Sequence, residues 1–175
     1  MLLAVISYPV LILTDYYLIQ EIRARYDIDN HKFIKPHFTF IFPCSGINQD
    51  DFCGHVEKRI EGFNSFDFRI NRVELNTDPS GDSWHLFLVP EKGFEQIIKL
   101  HDSLYTEILN EKLRTDIPYI PHITVGRFEN ERDGEKVYEE MNNQKLTISG
   151  RISTIEVIAI ENNQLKTIRS FELLS

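Results

Sequence analysis

Apolar positions along the chain fall into short runs separated by polar, cap-forming or turn-forming residues. "LLAVIS" (2–7) is continuously apolar and predicts a buried strand. "TDYYLIQEIRARY" (14–26) places apolar residues at helical spacing, with Thr14 as its expected N-cap. "DIDNHKFIKP" (27–36) reads as a loop, and "HFTFIF" (37–42) as a strand ended by Pro43. A helix is expected from Asn48, whose first turn is acidic, and a β-rich stretch over 66–76. The breaker residues of 76–83 then predict a turn.

The order repeats. Strand character over 84–90, a helix over 93–109, a strand over 122–128 and a helix over 132–143 are followed by strand material over 146–162, broken at Gly150, and a last strand over 165–174. Landmarks of the two halves keep one offset: 81 residues from Pro9 to Pro90, 85 from Pro36 to Pro121, and 82 from Val73 to Ile155. A constant offset over half the chain points to an internal duplication. The expected fold class is α+β: one domain over 1–175 made of two pseudo-symmetric lobes, about 1–80 and 81–175, with two mainly antiparallel sheets flanked by helices. Long parallel strand runs with Gly-rich turns are missing, which argues against a dinucleotide-binding Rossmann fold.

At 175 residues, 42% hydrophobic and 26% charged, the chain has the make-up of a single globular domain. Its formal charge of −8 argues against a grip on long nucleic acid, which calls for a basic face. A small anion or a strand end is the better partner. Cys44 and Cys53 match no zinc or redox spacing and read as reduced, partly buried thiols. The apolar first 18 residues lack a basic n-region, are interrupted by Pro9 and Asp15, and read as strand plus helix rather than a leader or a membrane span. The expectation is a cytoplasmic monomer that binds no membrane.

The polar positions within two strands carry the chemistry. "PHFTF" (36–40) and "PHITV" (121–125) share Pro-His-x-Thr. Side chains on a strand alternate faces, so Phe38 and Phe40, like Ile123 and Val125, go to the core, while His37/Thr39 and His122/Thr124 face outward. If the halves are related by a twofold, the two polar faces meet across a groove. Imidazole is the side chain that titrates near neutrality. Two of them on opposite sides of a reacting centre provide a general base and a general acid, and threonine hydroxyls hydrogen-bond oxyanions. An oxyanion between two imidazoles suits in-line displacement at a phosphodiester, with no metal and no cofactor.

These two motifs, 85 residues apart, resemble the signature of the two-histidine (2H) phosphoesterase superfamily, which includes 2′-5′ RNA ligase-like proteins and cyclic nucleotide phosphodiesterases. The resemblance spans essentially the whole chain. It implies that His37 and His122 are the acid/base pair, that Thr39 and Thr124 bind phosphate, and that the lobes enclose a central groove. It also implies a small nucleotide or RNA-end substrate: a 2′,3′-cyclic phosphate, a 2′-5′ linkage or ADP-ribose 1″,2″-cyclic phosphate. It does not assign acid and base between the histidines.

Further substrate contacts are expected at Arg127, Lys35 and Tyr119, which adjoin the motifs. Arg127 lies at an odd offset from His122 and faces the core side unless Gly126 marks a bulge. Trp84 and Phe87 could offer a base-stacking surface but read more simply as core. His31, His55, His85 and His101 have no partner motif and read as structural or surface residues. Three rival readings stand beside it: a nucleotide-binding module without turnover, a two-histidine metal site, which lacks the accompanying carboxylate, His or Cys ligands, and a ligase, which lacks an NTP-binding signature.

Overall fold

The computed structural model describes residues 1–78 and 80–175. Pro79, in the turn expected over 76–83, lies outside the described residues. In chain order the elements are β1 (Leu2–Ser7), β2 (Val10–Leu11), α1 (Leu13–Tyr26), α2 (Ile28–Phe33), β3 (Phe38–Cys44), α3 (Gln49–Ile60), β4 (Phe66–Thr77), β5 (Trp84–Lys92), α4 (Phe94–Leu104), a 3-10 helix (Glu107–Lys112), β6 (Ile123–Phe128), α5 (Glu131–Asn143), β7 (Ile148–Ile152), β8 (Thr154–Glu161) and β9 (Gln164–Glu172).

The strands form two antiparallel sheets, ordered β3-β1-β8-β9 and β2-β7-β4-β5-β6. The architecture is α+β, as expected. Each sheet takes strands from both halves of the chain, so the duplication expected over 1–80 and 81–175 is not a division into one sheet per half. The two strands that carry the Pro-His-x-Thr motifs, β3 and β6, are each an edge strand. Phe38, Phe40, Ile123 and Val125 are buried in one continuous core with Phe52, Phe68, Leu86 and Leu88. The alternation that faces Thr39 and Thr124 out of each strand follows from this.

Local differences from the sequence reading have physical causes. Residues 28–33, expected as loop, form α2; Asp27 sits at its N-cap and is held by Arg23 and Asn30. Helix α1 begins at Leu13 behind Ile12, and Thr14 does not cap it. Pro43 does not end β3, which runs on to Cys44, because a proline is tolerated on an edge strand. The break in 146–162 falls at Ser153, not Gly150. Gly150 lies inside β7, where a Cβ would come within 2.7 Å of the Phe68 ring and the Val10 carbonyl oxygen, so it serves close packing. The helix expected over 93–109 stops at Leu104 and gives way to the 3-10 helix. Asn48 caps α3 by accepting from Asp50 N at 2.8 Å, as its residue type predicts.

Cys44 is half-buried and Cys53 buried; both are free, and burial raises both thiols. Among the described residues no helix is long and apolar enough to cross a membrane.

Candidate functional site

The proline before each histidine has a local role. His37 Nδ1 lies 2.8 Å from the Lys35 carbonyl oxygen, and His122 Nδ1 lies 2.6 Å from the Ile120 carbonyl oxygen. In each motif the accepting carbonyl is two residues back, across a buried proline (Pro36 or Pro121) whose ring fixes φ. A carbonyl can only accept, so Nδ1 carries the proton and Nε2 is left as the free lone pair. The two motifs therefore present the same tautomer in the same way.

Two cavities meet between the edges of the sheets. One, about 320 Å³, is lined by His122, Thr124, His85, Asn76 and the apolar side chains Phe87, Ile117, Pro118 and Ile120. The other, about 240 Å³, is lined by His37, Thr39, Arg23 and Asp27 among apolar residues of β1 and β8. Phe42 and Thr124 line both, so the two cavities are arms of a single groove. The structure thus brings together the four residues of the paired motif. A larger cleft of about 720 Å³ borders the groove, shares Asp27 and Asn30 with the His37 arm, and carries Arg127 and Ser83.

Burial lowers both histidines to about 4. For His37 the next effects are the Lys35 carbonyl, which opposes the shift, and the charge of Arg23, which adds to it. For His122 the Ile120 carbonyl opposes, while His37 and His85 add to the depression. Each imidazole therefore disfavours the protonation of its counterpart, and an unliganded groove favours neutral rings. An anion between them acts in the opposite direction.

Other side chains fix the rings. Phe87 stacks on His122 with centroids 3.5 Å apart and planes 15° from parallel, and Tyr8 meets His37 edge-on at 6.3 Å. Phe87 therefore belongs to the groove and not to the core alone; its alternation with Leu86 and Leu88, both buried, is the signal that places it there. Trp84 lines neither arm.

Arg127 reaches the groove side through a β-bulge. Across β5 and β6, Leu86 pairs Gly126 but Phe87 pairs Thr124, which leaves Val125 as the extra residue and opposes Arg127 to His85. A Cβ on Gly126 would lie 2.9 Å from the Phe128 ring and 3.2 Å from Leu86 Cβ, so the bulge is closely packed at this residue. Lys35 is exposed and lines neither arm; its carbonyl, not its ammonium, serves His37. Tyr119 also lines neither arm. Its hydroxyl donates to the Thr39 carbonyl at 2.7 Å, its ring stacks on His101 at 3.7 Å, and burial raises its phenol strongly.

Two further residues line the groove outside the paired motifs. Arg23 is a buried guanidinium whose Nε lies 3.4 Å from Asp27 Oδ2 and whose Nη1 donates to Gln20 at 3.0 Å. Desolvation lowers Arg23 and raises Asp27, so the pair only partly offsets its own burial. A cation four residues after buried Ile19, on the apolar stripe of α1, is the available signal. His85, a structural or surface residue by its sequence context, lines the His122 arm. Its Nε2 lies 3.0 Å from Ser83 Oγ, which donates to Asp78 Oδ2 at 2.8 Å. The remaining histidines do not line the groove: His55 is buried against the Leu104 carbonyl at 2.9 Å, and His101 packs under Tyr119.

The groove gathers two imidazoles with matched tautomers, two hydroxyls and nearby guanidinium groups, side chains that are chemically able to exchange protons and hold an oxyanion. Comparison with known families agrees with that class. The family model described as the 2′-5′ RNA ligase superfamily matches residues 12–164, and the chain belongs to that family of two-histidine phosphoesterases. No curated protein matches it significantly in sequence. Among solved structures, LigT of Escherichia coli is similar with a TM-score of 0.58 at 13% identity, covering 99% of this chain and 98% of LigT. Usb1 of Kluyveromyces marxianus gives 0.57 at 9% identity, covering 95% and 97%. A crystal structure of a phosphoesterase gives 0.54 at 12% identity, covering 99% of both chains. At these identities the likeness is one of fold.

Proposed function

We propose that this protein is a metal-independent phosphodiesterase acting on a small nucleotide or RNA end, with His37 and His122 as general acid and base. The observation that carries the reading is the matched pair: each histidine offers Nε2 to one groove, with Nδ1 committed to the carbonyl two residues back. Family membership and the nucleotide complexes of similar structures support it: LigT with 3′-AMP and Usb1 with uridine monophosphate.

The reaction runs by in-line displacement. One neutral Nε2 takes a proton from the attacking water, or from a ribose hydroxyl, as the new P–O bond forms. The other ring, as imidazolium, gives its proton to the ribose oxygen as the old P–O bond breaks. For a 2′,3′-cyclic phosphate and water, the product is a phosphomonoester. Thr39 and Thr124 donate to the non-bridging oxygens, and the half-buried threonine rotamers keep those hydroxyls in place. Arg23 supplies positive charge on the His37 side. The groove's low polarity keeps both rings neutral when empty, and the arriving phosphate anion raises them, so the acid forms in the presence of substrate. The apolar arm beside His122, with Phe87 and Phe42, suits a nucleobase.

The test is hydrolysis, in EDTA, of a 2′,3′-cyclic nucleotide, a 2′-5′ linked oligoadenylate and ADP-ribose 1″,2″-cyclic phosphate. Wild type is compared with His37→Ala and His122→Ala. The expected result is turnover of at least one substrate, lost by on the order of 10²-fold or more in either variant. Nucleotide binding without hydrolysis of any of the three would favour the binding-module alternative; activity that disappears with EDTA overturns metal independence.

A further inference from the structure

The groove face of the larger sheet carries two cross-strand rows. Glu74, Phe87 and Thr124 make one, next to His122; Asn76, His85 and Arg127 make the next, one strand repeat further along. Directly opposed residues on one face of an antiparallel sheet lie ~5 Å apart at Cβ, and successive residues of one face are ~6.8 Å apart along the strand. In the second row Asn76 and His85 line the His122 arm, while Arg127, paired with His85 across the strands, lines the 720 Å³ cleft.

Each member of that row is short of a partner. Asn76 Nδ2 is buried and makes no hydrogen bond, a state that costs free energy unless a ligand supplies the acceptor. Arg127 is exposed and forms no ion pair among the described residues, and the bulge at Val125 is what turns it toward His85. His85 is oriented. Ser83 Oγ has a single proton, given to Asp78, so His85 Nε2–H must donate to Ser83 and Nδ1 is left unbound. The charged groups near His85 are Arg127, Asp78, Asp27 and His122. Asp78 is committed to Ser83, Ser80 and the Asp82 amide, and Asp27 to Arg23 and Asn30. What remains uncommitted is an amide donor, a guanidinium and an imidazole that becomes a donor on protonation.

We propose that Asn76, His85 and Arg127 form a second anion seat, which takes a phosphate adjacent to the scissile phosphodiester. This rests on the phosphodiesterase reading of the groove and narrows its substrate class. The preferred substrate is a nucleotide or RNA end with a second phosphate, rather than a cyclic mononucleotide with none. Both a terminal phosphomonoester and a neighbouring phosphodiester present the same oxygens to the row.

The experiment is a binding titration at fixed low salt with three probes: a nucleoside 3′-monophosphate, the 3′,5′-bisphosphate, and a dinucleotide whose second phosphate is an internal diester. Wild type is compared with His85→Gln, Arg127→Gln and Asn76→Asp, each checked for a wild-type unfolding midpoint. Wild type is expected to bind the bisphosphate or the dinucleotide about 10-fold or more tightly than the monophosphate, the span of one charge-assisted contact. Preference for the bisphosphate alone identifies a terminal group; equal preference identifies the strand. In His85→Gln and Arg127→Gln the ratio is expected to fall to within about threefold of unity, and in Asn76→Asp to invert. A wild-type ratio near unity, or a ratio that survives His85→Gln and Arg127→Gln, overturns the seat. Because binding is read rather than turnover, a bisphosphate preference without hydrolysis keeps the seat and removes the catalytic reading, and hydrolysis without preference does the reverse.

Discussion

The Tyr119 hydroxyl donates to the carbonyl oxygen of Thr39 over 2.7 Å and so ties the chain just ahead of the second motif to the middle of the first. A second tyrosine acts beside it: Tyr105 Oη accepts from Phe42 N at 3.0 Å. Strand β3 is an edge, and its outward backbone groups need partners. These two hydroxyls supply them, and His101 packs against both rings. The spacing of the two sheet edges, and with it of His37 and His122, depends on this strut.

Tyr119→Phe removes one hydroxyl and leaves the Thr39 carbonyl without its donor. The expected loss of stability is about 1–3 kcal/mol, read as a lower urea midpoint with an unchanged slope. The turnover number is expected to fall more than KM rises, because the histidines lose their mutual spacing. Unchanged stability together with unchanged turnover would show that the strut carries nothing.

The pH dependence follows from the directions of the two shifts. Both rings are lowered to about 4 in the empty groove. The profile of kcat/KM, which reports the free enzyme, is therefore expected to be bell-shaped with its maximum on the acid side of ~6.5, the ordinary histidine value. The profile of kcat reports the complex, in which the phosphate anion favours imidazolium, so its bell lies at higher pH. A flat profile between pH 5 and 8 contradicts the acid/base assignment.

Stability carries the same signature. The unfolded chain takes up protons on these histidines near ~6.5, the folded chain only near 4. Stability is therefore full above the unfolded value and declines as the pH falls through that window, because the unfolded state binds more protons. His85 and His101, lowered chiefly by burial, add in the same direction. Urea midpoints at pH 7.5, 5.5 and 4.5 are expected to fall less steeply in a His37→Gln/His122→Gln double variant than in wild type. Parallel slopes would remove these rings from the acid sensitivity.

Gly126→Ala tests the bulge. The added Cβ meets the Phe128 ring and Leu86 in a packed position, at an expected cost of about 1–3 kcal/mol. Nucleotide affinity is expected to drop as well, because the turn of Arg127 onto the groove face depends on the bulge. A variant with wild-type midpoint and affinity would show that the strand accommodates the methyl without re-aiming Arg127.

Much of the fold was legible because its signals are local. The period-two alternation in "HFTF" and "HITV" fixes which face is buried, and Asn48 caps a helix by its own side chain. What escaped depends on partners far away in sequence. Gly150 reads as a strand breaker until Phe68 and Val10 are seen pressed against it. The residues of α2 read as loop because Asp27, their anchor, is held by Arg23 from the preceding helix. Arg127 carries no local mark of the groove face, since a register shift across β5 and β6 turns it there, and Arg23 lines the His37 arm from a helix far from both motifs. Tyr119 adjoins the second motif, which marks it as a substrate contact, but the structure gives its hydroxyl to a backbone carbonyl.

The smaller sheet has a consequence for synthesis. Strand β1 lies between β3 and β8, so the scaffold under His37 stays open on one side until residues 154–161 have been made. A nascent chain that has already emerged with both histidines still lacks the strand that flanks β1 on its other side. Pairing across most of the sequence is slow relative to local structure. The groove between the two sheet edges is therefore completed late in synthesis, when the eighth strand closes the smaller sheet.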